Sequence, residues 1–125
     1  MFGIFELFGR SREIQGLDQA VRAVGLDARA VPDAVKFTTV RRIKAAGLPA
    51  DARNYARAAE LLGYSMLGAT AFREANDERL TGAVEARIEA ALGETDGLDA
   101  QLLLLTLHAG IIQASVIERY ELTTA

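Results

Sequence analysis

Apolar residues recur at helical spacing in one segment after another of this chain. Ile14, Leu17, Val21 and Val24 follow a 3-4-3 rhythm, which lays one apolar stripe along a helix. Ser11 or the pair Gln15-Gly16 marks its start. Gly25 followed by Leu26 marks its end, with glycine supplying a left-handed residue. Asp27 to Val31 reads as a connector. Pro32-Asp33 opens a second helix, because the first turn has no use for the N–H that proline lacks and aspartate suits the positive helix end. Val35, Phe37, Val40 and Ile43 spread over a wide arc, and Gly47-Leu48-Pro49 stops this helix near Ala46.

Pro49 opens the third helix, with Asp51 in its first turn and Tyr55, Ala58, Ala59 and Leu62 facing inward. Gly63 either ends it or sits within it, since a mid-helix glycine costs only about 1 kcal/mol against alanine. Tyr64 to Ala75, with Tyr64, Met66, Leu67 and Phe72 on its apolar side, is then a continuation or a second helix at an angle. The small residues of 59–68 predict a tight helix crossing. Asn76-Asp77 is a cap signal. Leu80, Val84, Ile88 and Leu92 then recur every four residues, with Glu78, Glu85, Arg87 and Glu89 on the wet side, and Gly93 closes the segment.

The stretch Ala100 to Ile117 differs from all of these. Its eighteen residues carry no charge, and leucine, isoleucine and valine lie on every side. A helix apolar all round must be enclosed by protein or by lipid. Eighteen residues is near the lower limit for crossing a bilayer. Gln101, His108, Gln113 and Ser115 within it, and the amphipathic helices upstream, select protein. The helix is predicted to run from a cap at Thr95, Asp96 or Asp99 to about Tyr120. The expectation is therefore an all-α single domain over residues 1–125, a bundle of four to five helices packed around an apolar C-terminal helix. Residues 1–10 form an apolar N-terminal arm and residues 122–125 a frayed tail.

Composition narrows the chemistry. There is no cysteine among the 125 residues, which removes disulfides, thiolate nucleophiles and zinc-thiolate or iron–sulfur sites, and is consistent with a cytoplasmic setting. The opening MFGIFELFGR lacks the basic start of a secretory signal. The net charge of −3 is mild but unevenly placed. Residues 1–62 hold ten Lys/Arg against seven Asp/Glu, and residues 63–125 hold four against ten. The halves can attract each other within one chain or between two.

The arm carries Phe2, Phe5 and Phe8, three apart, so one helical face presents them together. Packing on the chain's own core is the first reading, and a dimer partner is the second. A membrane surface is the third, and Arg10 and Arg12 are few charges for an interfacial anchor.

His108 is the single histidine, in the middle of the apolar stretch. Leu105 stands three residues before it, so the Glu-x-x-His pair of carboxylate-bridged bundles is missing, and no metal or cofactor is expected. The expected role is a buried or half-buried structural histidine, hydrogen-bonded to a neighbouring polar group. No catalytic residue stands out: the Gly-x-Ser-x-Gly elbow, the P-loop and the Gly-x-Gly-x-x-Gly loop are all missing. The run from Thr39 to Pro49 followed by a helix superficially resembles a helix-turn-helix. Arg53 stands where an aliphatic residue should pack between the helices, so no nucleic-acid partner is expected.

The leading expectation is thus a non-enzymatic interaction module, a homodimer or a partner of another protein, with Phe2, Phe5 and Phe8 at the interface. The alternative is a small-ligand or enzymatic site in the bundle built from His108, Tyr64, Tyr55 and Gln113. A further alternative is peripheral membrane attachment through residues 2–8.

Overall fold

The computed structural model describes residues 2–94 and 96–123, with side chains from residue 12 onward. The chain is all-α. Its described elements are α1 (Phe2–Ala23), a 3-10 turn (Ala28–Ala30), α2 (Asp33–Ala45), α3 (Ala52–Leu67), α4 (Ala69–Ala75), α5 (Glu78–Gly93), α6 (Leu98–His108) and α7 (Ala114–Tyr120). The described residues hold seven helices rather than the expected four to five: the expected C-terminal helix is two, and of the two readings left open for the segment before Ala75, a separate helix α4 is the one formed.

A single helix runs from Phe2 to Ala23 rather than starting at Ser11 or Gln15. It stops where expected. Gly25 takes φ +91°, the Leu26 N–H donates to the Val21 carbonyl at 3.2 Å and the Gly25 N–H to Arg22 at 3.0 Å. That pair of bonds is the Schellman stop.

Gly63 does not break α3; Gly68 does, at φ +86°. Gly63 is instead where helices meet most closely. A Cβ there would sit 2.9 Å from Val24 Cγ2 and 3.3 Å from Phe72 Cε1. At the other end of the same contact a Cβ on Gly16 would sit 2.6 Å from Tyr55 Cε2. The registers 16 with 55 and 24 with 63 are equal, so α1 and α3 run parallel. α2 runs antiparallel to α1, held by ion pairs from Lys36 to Asp18 at 2.9 Å and from Lys44 to Glu13.

The helix that the others wrap is α3, not the C-terminal one. It buries Tyr55, Ala58, Ala59, Leu61, Leu62, Gly63, Tyr64 and Ser65, and it packs on α1, α2, α4, α5 and α6. Asp51 caps it, its carboxylate accepting the Asn54 N–H at 3.1 Å, and Asp77 caps α5 in the same way through Leu80 at 2.7 Å.

The apolar stretch Ala100–Ile117 is two helices. Gly110 at φ +71° ends α6, with the Ile111 N–H donating to Thr106 at 3.1 Å and the Gly110 N–H to Leu107 at 3.1 Å, a second Schellman stop. Four residues after Gly110 α7 sets off, and Val116 buries itself in the core. One straight helix would have to bury all of its sides. Splitting it lets α6 and α7 each bury one. Leu122, just past α7, also packs against the core.

Candidate functional site

The four residues expected at a ligand site are not brought together. Tyr55 is buried against α1, its ring over Gly16. Gln113 is an exposed residue before α7, and its backbone N–H donates to the Ser65 carbonyl at 2.8 Å. His108 ends α6 and is exposed, which corrects the expectation of a buried or half-buried histidine in mid-helix. The Schellman stop at Gly110 is the reason: it carries the chain away just beyond residue 108. His108 lines a hollow of about 180 Å³ with Thr38, Arg42, Gln101, Leu104 and Leu105.

Tyr64 is fully buried. Its hydroxyl donates to Glu85 Oε2 at 2.7 Å and lies 3.4 Å from the Tyr120 hydroxyl. Arg119 Nη1 pairs with the same carboxylate oxygen at 3.0 Å, and its guanidinium stands over the Tyr120 ring. Burial first, then the hydrogen bond to Glu85, pushes the Tyr64 phenol well above the ordinary tyrosine range. A phenol held neutral so firmly is a poor base or nucleophile near neutral pH. The cluster therefore ties α3, α5 and α7 together.

A second polar joint was hidden in the sequence. Arg87 sits on the expected wet side of α5, yet only 16% of its side chain is exposed. Its guanidinium donates to Asp99 at 2.8 and 3.1 Å, to Glu60 at 3.0 Å and to the Arg57 carbonyl at 2.9 Å. Four donors in a rigid fork join α3, α5 and α6. A Glu or Arg on the polar side of an amphipathic helix carries no local mark that a neighbouring helix supplies its partner, so Glu85 and Arg87 were not legible beforehand.

What stands out instead is the outer face of α6. Leu104 is 41% exposed, and Leu92 at the end of α5 is 47% exposed, against its expected place in the core. Between them runs a groove of about 330 Å³ lined by Ala91, Leu92, Leu103, Leu104, Leu107 and Leu122, with Glu121 also on its lining. Leu104 is the ridge shared by this groove and the His108 hollow. The face arises because α6 is apolar on every side while the described residues bury one of them: Ala100, Leu102, Leu103 and Thr106.

The Phe2, Phe5 and Phe8 side chains lie outside the described residues. Among the described residues no helix is long and apolar enough to cross a membrane, and no group of three His, Cys, Asp or Glu is placed to hold a metal ion. Compared with family models, with curated proteins and with solved structures, the chain has no match in any of the three.

Proposed function

We propose that this chain is a non-enzymatic interaction module that works as a homodimer, docking through the leucine face of α6. The observation that carries the reading is the open groove beside Leu104. Single exposed leucines are ordinary on protein surfaces, whereas leucines converging on one groove mark a docking surface. The polar clusters of the interior support the same reading, because Glu85 and Arg87 are consumed by ties between helices. The hollow at His108 is smaller than the pockets that enclose typical small ligands. The proposed setting is the cytoplasm, a reducing compartment that a cysteine-free chain suits.

Size-exclusion chromatography with light scattering tests this. The wild-type chain is expected at twice its 13.4 kDa mass at tens of micromolar, and Leu104→Glu at the single mass with an unchanged helical circular dichroism spectrum. A wild-type chain that stays monomeric at those concentrations contradicts the proposal.

A further inference from the structure

We infer that the leucine face pairs with a second copy of this chain about a two-fold axis running along α6, so that the two α6 helices lie parallel. The inference rests on the interaction-module reading and adds to it the geometry of the pair. Two asymmetries of the face lead to it.

The first is shape. Leu104 is a ridge with the larger groove on one side and the smaller His108 hollow on the other. A two-fold axis along α6 turns the face over sideways, and each ridge drops into the other copy's groove. An axis across α6 sets ridge on ridge and groove on groove, leaving the groove leucines uncovered. Close complementarity therefore selects the axis along the helix.

The second is charge. Glu121 lines the groove side and Arg42 the hollow side. Among the described residues, neither has an ion-pair partner within its own chain. With the axis along α6, Arg42 faces the partner's Glu121, and the reverse contact forms by symmetry. With the axis across α6, like charge meets like, which is repulsive. The uneven charge of the two halves of the chain fits the same arrangement. Of the ion pairs within the described chain, Arg87 with Glu60 joins the two halves, and there the cation comes from the acidic half.

The sequence spacing agrees. Gly97 at the N-cap of α6, and Gln101, Leu104 and His108 within it, recur at 4-3-4, the spacing that keeps positions on one side of a helix.

The absence of native cysteine makes the pairing directly readable. Gly97→Cys and His108→Cys, made one at a time, each place a thiol on the seam. Gly97 has φ −72°, a value open to any residue, and a Cβ there meets only ordinary contacts at 3.9 Å. In the parallel pair each thiol meets its own counterpart, within reach of a disulfide. In an antiparallel pair crossing at Leu104, residue 97 lies about 21 Å from its counterpart and residue 108 about 12 Å, at the 1.5 Å rise of a helix. Oxidation is expected to give covalent dimer from both variants on a non-reducing gel. Covalent dimer from neither, in a chain that light scattering shows to be dimeric, overturns the parallel pairing and leaves the interaction module standing. A monomeric wild-type chain defeats both. As a second readout, Arg42→Glu and Glu121→Arg are each expected to raise the dimer dissociation constant about tenfold, and the double exchange to restore it. A double variant no tighter than the singles contradicts the proposed contact.

Discussion

Tyr64 and Leu104 sit on neighbouring helices that pack against each other, and the fold treats their surroundings in opposite ways. Tyr64 itself is fully buried. Its ring meets Phe72 edge to face with centroids 5.7 Å apart, its hydroxyl is bonded to Glu85, and the glycine beside it brings α1 to within van der Waals contact. Around Leu104 leucines are as dense, yet Leu104 and Leu92 stand exposed beside a groove that the buried Leu103 also lines. The difference lies in arrangement rather than in apolar content. α3 packs on α1, α2, α4, α5 and α6, whereas α6 has α2, α3 and α5 behind it and, among the described residues, leaves Leu104 exposed in front. Stability is thus concentrated on one side of the molecule, and association is assigned to the other.

That division can be broken by mutation, beginning with the largest effect. Phe72→Ala removes a fully buried ring from the closed side and is expected to cost about 3–5 kcal/mol in urea unfolding. A loss below about 1 kcal/mol would show that the closed side is not well packed. Arg87→Met leaves Glu60 and Asp99 without their cation. Because both carboxylates remain a quarter exposed, water compensates in part, and the expected cost is about 2 kcal/mol rather than the larger penalty of a fully buried pair.

Tyr64→Phe removes the hydrogen bond to Glu85 and the longer one to Tyr120, with an expected cost of about 1 kcal/mol near neutral pH. Its clearer signature is alkaline. The folded phenol ionises above its ordinary value of 10.0, so above that pH the unfolded chain loses this proton first. The stability held by the neutral phenol is complete below pH 10 and drains away as the pH rises beyond it. The variant should therefore show a flatter alkaline limb than the wild-type chain, and superimposable limbs would contradict the buried, bonded phenol.

Leu104→Glu is the smallest of these in monomer stability, expected within about 0.5 kcal/mol of the wild-type chain at concentrations where both are dissociated. A multi-kilocalorie loss in the monomer would mean that Leu104 belongs to the core and the division is wrong.

The sequence reveals the elements that are punctuated by local chemistry. The second helix and α5 lie close to their expected bounds, because Pro32-Asp33, Asp77 and the glycines act on the backbone within a turn. The all-α class follows from periodicity alone. The end of α6 was hidden because isoleucine and leucine on both sides of Gly110 mask a stop that depends on one residue at positive φ. The joints made by Glu85 and Arg87 were hidden for another reason. Their partners Tyr64, Arg119, Glu60 and Asp99 come from other helices, and helical periodicity sorts residues by side, not by neighbour. The outward leucine face was half visible: an all-round apolar helix announces a need for cover, and only the fold shows which side the described residues cover.

The central claim is that the cover comes from a second copy lying on α6. The most direct measurement is a dilution series of amide spectra by two-dimensional nuclear magnetic resonance on the wild-type chain. The account predicts concentration-dependent shifts confined to residues 91–94, α6 and residues 121–123, with Arg42 beside them and the α1–α3 contact silent. Spectra that do not change from the lowest to the highest concentration at the mass of a monomer, or changes centred on α1 and α3, would contradict it.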